Sequence, residues 1–163
     1  MSLTSQERRA LIDRYADGPR RLGAALAGVP EAARVWRPAP GKWSVHEVIV
    51  HCADAETNAA MRIRYLLAEP QPTLVGYDQD EWARTLDYAA QPLGPALAAV
   101  EAARGNTVLL LRRLPEAAWQ RTGTHTEMGR YTAEQWLQIY AEHLEVHAQQ
   151  IERNLAAWMA ASS

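Results

Sequence analysis

Two of the five histidines in this 163-residue chain, His143 and His147, stand four residues apart in a segment that reads as helix. That spacing puts side chains on one helix face with Cβ atoms about 5–6 Å apart. Two imidazoles so placed can converge on one divalent ion, with zinc–nitrogen bonds of about 2.0–2.1 Å. The same spacing also describes two ordinary helix histidines, one packed and one solvated. His147 weighs against that plainer reading because it falls between Leu144 and Ile151 on an apolar stripe. A buried imidazole needs hydrogen-bond partners or a metal. His51, beside Val48 and Ala55 on another helix, becomes a third ligand if the two helices face each other. Three protein ligands leave positions open for water or substrate, as in catalytic rather than closed structural sites. An ion held there would activate a water or a thiol.

Other side chains offer support. Glu47 and Asp54 lie four before and three after His51, on its side of the helix. Either could orient a ligating imidazole or accept a proton. Glu47 is equally explained as the closing glutamate of a helix cap, and Asp54 as a solvated acid. His46 falls on a different face from His51 and reads as surface. His125 sits in a loop, where it anchors the chain, is solvated or borders the pocket. Cys52 points about 100° away from His51 around the helix and reads as a buried cysteine. Trp36 and Trp43 read as packing a connector on the domain, and Tyr140 as lining the pocket or filling the seam. Arg62 and Arg64 read as a solvated helix face, with an anionic substrate as their alternative partner.

The elements that must position these residues are helices. Thr4-Ser5-Gln6-Glu7, Ser44-Val45-His46-Glu47 and Thr132-Ala133-Glu134-Gln135 each have the form of a capping box. The first opens a helix that Gly18-Pro19 should kink or split and Gly28-Val29-Pro30 should end. The second opens a helix to about Ala68, with a seam of Val45, Val48, Cys52, Ala55, Ala59, Ile63 and Leu66. A third helix spans roughly 93–113, with Leu97, Val100, Val108 and Leu111 inward. The last runs from about Ala133 to Ala160, with Leu137, Tyr140, Leu144, His147, Ile151, Leu155 and Trp158 along its seam. A short turn is expected at Pro30–Arg34, and Asp78 could cap a short helix holding Trp82. Residues 119–131 read as loop, and no segment shows strand alternation. Four long amphipathic helices predict an all-α four-helix bundle. Two of its three connections exceed the usual length of about 2–8 residues.

Composition bounds the rest. The length fits one domain, residues 1–163, able to bury a core without disulfides or a structural metal. Hydrophobic residues are 48% and charged residues 22%, which excludes a disordered or collagen-like chain. A net charge of −2 argues against nucleic acid as a partner. The single cysteine excludes a disulfide scaffold and suits a reducing compartment. The N-terminus lacks an apolar signal core, and no stretch approaches the roughly 20 apolar residues of a membrane helix. A cytoplasmic protein without membrane contact is therefore expected.

The run from Trp36 to Glu56, containing Trp43-Ser44-Val45-His46-Glu47-Val48-Ile49-Val50-His51-Cys52-Ala53-Asp54, resembles the first signature of the DinB-like (DinB/YfiT) superfamily. His125 to Thr132, leading to His143-Leu144-Glu145-Val146-His147 and on to Gln150-Ile151, resembles the second. The order and separation match over nearly the whole chain. Cys52 stands where leucine is more usual, and Ala148 where a further histidine is frequent. The resemblance implies a DinB/YfiT-type four-helix bundle with a metal, zinc or nickel, on His51, His143 and His147. It implies a metal-dependent hydrolase, or a thiol-dependent S-transferase using a low-molecular-weight thiol, with a small-molecule substrate. The alternative is a metal-dependent binding or stress protein without turnover. A homodimer is the assembly it favours.

Overall fold

The computed structural model describes residues 3–162. Three long helices begin at the three capping boxes. Thr4 accepts a hydrogen bond from the Glu7 amide, and the Glu7 carboxylate accepts one from Thr4, opening α1 (Ser5–Ala27). Ser44 and Glu47 open α3 (Val45–Ala68) in the same way, and Thr132 and Gln135 open α6 (Ala133–Ala161). Such caps satisfy amide groups that the first helical turn leaves without partners, each cap contributing about 0.5–2 kcal/mol. The remaining long helix, α5 (Leu93–Leu111), starts behind Pro92 with no side-chain cap. Two short α-helices lie in the connections, besides a 3-10 helix at Glu116–Gln120. They are α2 (Glu31–Arg34) and α4 (Gln79–Thr85), the latter capped by Asp78 as expected.

The four long helices form a bundle in which α1 packs on α6, α6 on α3, α3 on α5 and α5 on α1. Helices consecutive in the chain are therefore not always neighbours. The steps from α1 to α3 and from α5 to α6 cross the bundle diagonally, which requires long connections. All three connections, 28–44, 69–92 and 112–132, exceed the usual loop length, one more than expected.

The connections also hold a small sheet where loop alone was expected. β1 (Thr73–Leu74) pairs in parallel with β2 (Thr122–His125), and β2 pairs antiparallel with β3 (Gly129–Thr132). Strands of two and four residues are too short to show an alternating pattern. Gly123 permits the β1–β2 approach, since a Cβ there would lie 2.5 Å from the Pro72 carbonyl oxygen. β3 runs directly into α6, so the hairpin sets where α6 begins.

α1 also differs from expectation. It passes through Gly18-Pro19 without a break. Pro19 has no amide hydrogen, so the Tyr15 carbonyl one turn earlier loses its helical donor. Arg104 of α5 replaces that donor, its Nη1 reaching Tyr15 O at 2.6 Å. Gly18 makes room for the guanidinium, because a Cβ there would lie 3.0 Å from Arg104 Nη1 and 3.0 Å from Leu144 Cδ1.

Candidate metal centre

α3 and α6 are adjacent, and their facing seams bring the three histidines together. The His51 ring lies 5.7 Å from that of His143 and 4.8 Å from that of His147, centroid to centroid. His143 and His147 are 4.6 Å apart. One ring nitrogen from each lies within 4.8 Å of the other two. Among the described residues this is the one histidine, cysteine and carboxylate cluster of metal-binding geometry.

Each ring is held differently. His143 Nδ1 is 2.8 Å from Glu56 Oε1, and His147 Nδ1 is 2.9 Å from Gln150 Oε1. An acceptor on Nδ1 places the proton there and leaves the Nε2 lone pair for a metal. His51 is fully buried, and neither of its ring nitrogens has a hydrogen-bond partner. Leaving a buried polar atom unpaired costs about 1–3 kcal/mol. A metal bond would supply the missing partner, so the donor set fits an imidazole-loving divalent ion. Burial, assisted by His147 and His143, brings His51 down to about 3. Burial and His143 bring His147 down to about 4. Both are neutral near pH 7, the form that ligates a metal.

Behind His143 stands a residue that pattern reading passed over. Glu56 is buried, and its carboxylate takes two 2.6 Å hydrogen bonds from Arg104 Nε and Nη2 as well as the bond from His143. Burial alone would raise the Glu56 carboxyl, but Arg104 and His143 outweigh it and hold the group below its ordinary value. The signal was legible in principle. Glu56 follows Cys52 by four on the α3 seam, and Arg104 lies midway between Val100 and Val108 on the α5 seam. Two opposite charges at core positions of facing helices should pair.

The other candidates are placed as follows. Glu47 does not orient a histidine. Its Oε2 accepts from the Ser44 amide at 2.9 Å and from Arg37 Nε at 3.0 Å, and its Oε1 accepts from Arg37 Nη2. Asp54 is not simply solvated, because Tyr88 donates its hydroxyl to Oδ2 at 2.7 Å. His46 is half-buried rather than surface, with Nε2 2.7 Å from Gln91 O. His125 ends a strand and is buried, accepting the Glu127 amide on Nδ1, so its anchoring reading holds and its solvated one does not. Cys52 is buried as expected, and burial raises its thiol well above its ordinary value. Trp43 stacks 4.7 Å from the His51 ring and is pinned by Asn154, which donates to its carbonyl. Tyr140 serves both seam and site, with its ring 5.1 Å from Trp136 and 5.7 Å from His143. Arg64 is not free at the surface but bonds Ala60 O and Thr107. Arg62 is half-buried rather than wholly solvated. It bonds the Tyr140 hydroxyl at 3.1 Å and the Val75 carbonyl.

Residues 14–151 match the DinB superfamily. A protein of Oceanobacillus iheyensis named "Putative metal-dependent hydrolase" is 36% identical over 107 residues, 66% of this chain and 62% of its own. The chain thus spans about three fifths of that relative's length. A protein of Geobacillus kaustophilus with the same designation is 30% identical over 137 residues, 82% of this chain and 75% of its own. The structure of YfiT from Bacillus subtilis, described as a probable metal-dependent hydrolase with an unusual four-helix bundle topology, superposes with a TM-score of 0.87. It is 24% identical and covers 94% of this chain and 88% of that one. A mutant of a mycothiol-dependent maleylpyruvate isomerase superposes at 0.71 with 13% identity, covering 91% of this chain and 61% of the other. Both structural likenesses bear on the fold alone.

Proposed function

The chain belongs to the DinB superfamily, and on that footing we propose that it is a metal-dependent hydrolase of a small molecule. Its ion, zinc or nickel, would be held by His51, His143 and His147. The observation that carries this reading is His51. It is a fully buried imidazole with both nitrogens unpaired, facing two rings whose Nδ1 atoms are already bonded. A divalent ion held by the three histidines would supply Lewis acidity, lowering the pKa of a water or thiol at its open side.

The chain's own residues set the conditions. Glu56 and Gln150 hold the proton of each α6 histidine on Nδ1. Burial keeps His51 and His147 neutral at working pH. Trp43 and Tyr140 wall two sides of the cluster against solvent. Asp54 is the proton acceptor in this reading. It lies one helical turn from His51, and Oδ1 is not spent on Tyr88. Cys52 takes no part as a nucleophile, being buried and protonated. Thiol transfer at the same centre is the second reading. It draws on the fold likeness to an isomerase whose name carries a thiol dependence.

Metal content per chain, in wild type beside His147→Ala, tests the proposal. About one zinc or nickel per chain, lost in the variant, supports it, and hydrolysis that then vanishes in Asp54→Asn supports the proton role. No metal bound after reconstitution at neutral pH overturns it.

A further inference from the structure

Arg62 stands apart from the other arginines because, among the described residues, its guanidinium alone keeps a buried nitrogen without a partner. Arg8 pairs with Glu116 and Glu134, and Arg104 pairs with Glu56. Arg62 has no carboxylate partner among the described residues. Of the five N–H donors of its guanidinium, one bonds the Tyr140 hydroxyl and one the Val75 carbonyl. Its Nε is buried with no partner at all. A positive charge without a counter-ion, on a partly desolvated side chain, is costly unless a ligand completes it.

Its position gives that cost a use. Tyr140 links Arg62 to the histidine cluster, since its hydroxyl meets the guanidinium while its ring packs 5.7 Å from His143. A phenol that accepts from Arg62 keeps its own proton to donate. Tyr77 lies against the same guanidinium, 5.8 Å from ring centre to Arg62 Cζ, braced by Trp82 at 4.2 Å. Arg62 and Tyr77 line a cleft of about 520 Å³, between Asn58 and Met61 on α3 and the 73–77 segment. That volume suits a small molecule.

We propose that Arg62, with the Tyr140 hydroxyl bonded to it and the Tyr77 ring packed against it, forms a subsite for a carboxylate-sized anionic group of the substrate, one side chain away from the metal-binding histidines. The substrate class is then a small molecule with an anionic group set apart from its reacting bond. This rests on the metal-dependent reading above. Arg62 suits the task because its planar fork meets a carboxylate through two parallel N–H bonds. Tyr140 is the positioning residue, holding the guanidinium towards the histidines.

Zinc-loaded protein titrated calorimetrically with metal-binding hydroxamates provides the test. Acetohydroxamate reports the metal centre alone. The monohydroxamates of succinic, glutaric and adipic acids carry a terminal carboxylate at increasing reach, and each is compared with its terminal carboxamide. The expected result is at least a tenfold preference for carboxylate over carboxamide at one chain length. Arg62→Gln should abolish that preference, and Arg62→Lys should keep part of it. Zinc content and acetohydroxamate affinity should stay unchanged in both. A role confined to holding Val75 would not produce this pattern. Equal affinity for the two tails at every length, or a preference that survives Arg62→Gln, overturns the subsite and leaves the metal centre standing. Absence of acetohydroxamate binding overturns both.

Discussion

Glu56 is where the candidate centre and the core share one side chain. One oxygen orients His143, and the pair of oxygens neutralises Arg104. Residues that orient metal-ligating histidines typically contribute 10–100-fold to metal affinity. Glu56→Gln is therefore expected to lower zinc affinity by about 10–100-fold, read by chelator competition. Glu47→Gln is the control, since that carboxylate serves a helix cap and Arg37 and should leave zinc affinity unchanged. The separation of the two glutamates was only partly legible. The cap role of Glu47 follows from its place three residues after Ser44. The role of Glu56 depends on a partner 48 positions away that only the α3–α5 contact brings close.

At the scale of the element, Gly18-Pro19 shows how a local signal can be overruled. A proline inside a helix costs about 3 kcal/mol when the carbonyl it orphans stays unpaired. Here Arg104 crosses from α5 to take that carbonyl, and the absent side chain of Gly18 lets it in. The dipeptide that reads as a break is a docking notch for another helix. Gly18→Ala should therefore destabilise the protein by about 1–3 kcal/mol through crowding of Arg104 and Leu144, measured by urea unfolding. The same substitution at Gly23, where a Cβ meets nothing within 4 Å, should stabilise or be neutral. The short strands are a parallel case. Thr73–Leu74 has no pattern of its own and becomes a strand because β2 offers it an edge.

For the whole molecule, the buried histidines tie stability to pH. His51 and His147 take up protons near pH 6.5 when unfolded, but only near 3 and 4 when folded. Between those values the unfolded chain binds more protons, so stability falls as pH falls. The contribution of the neutral rings is fully present above 6.5 and is lost progressively below it. The loss reaches up to about 1.4 kcal/mol per pH unit for each titrating group. The depressed carboxyl of Glu56 adds a loss of the same sign only below its ordinary 4.5. Thermal midpoints of metal-free protein should drop between pH 6.5 and 4, and the drop should be shallower in His147→Gln. A flat profile would show that these rings are not held neutral. Saturating zinc should raise the midpoint near neutral pH, because the native state alone presents the full donor set.

The sequence by itself determined what is local. Capping boxes and apolar seams specify where three long helices start and which faces turn inward, because those depend on residues within a few turns of one another. The His143–His147 pair and the helical architecture were readable for the same reason, whereas the place of His51 beside that pair came from the resemblance and from the α3–α6 contact. The tertiary structure decided everything that depends on a distant partner. It set the diagonal order of the helices, the pairing of Glu56 with Arg104, the continuity of α1 through Pro19, the three-stranded sheet and the placement of Arg62 beside Tyr140. In each case the free energy lies in a contact between residues far apart in sequence, and no local pattern encodes which surfaces will meet.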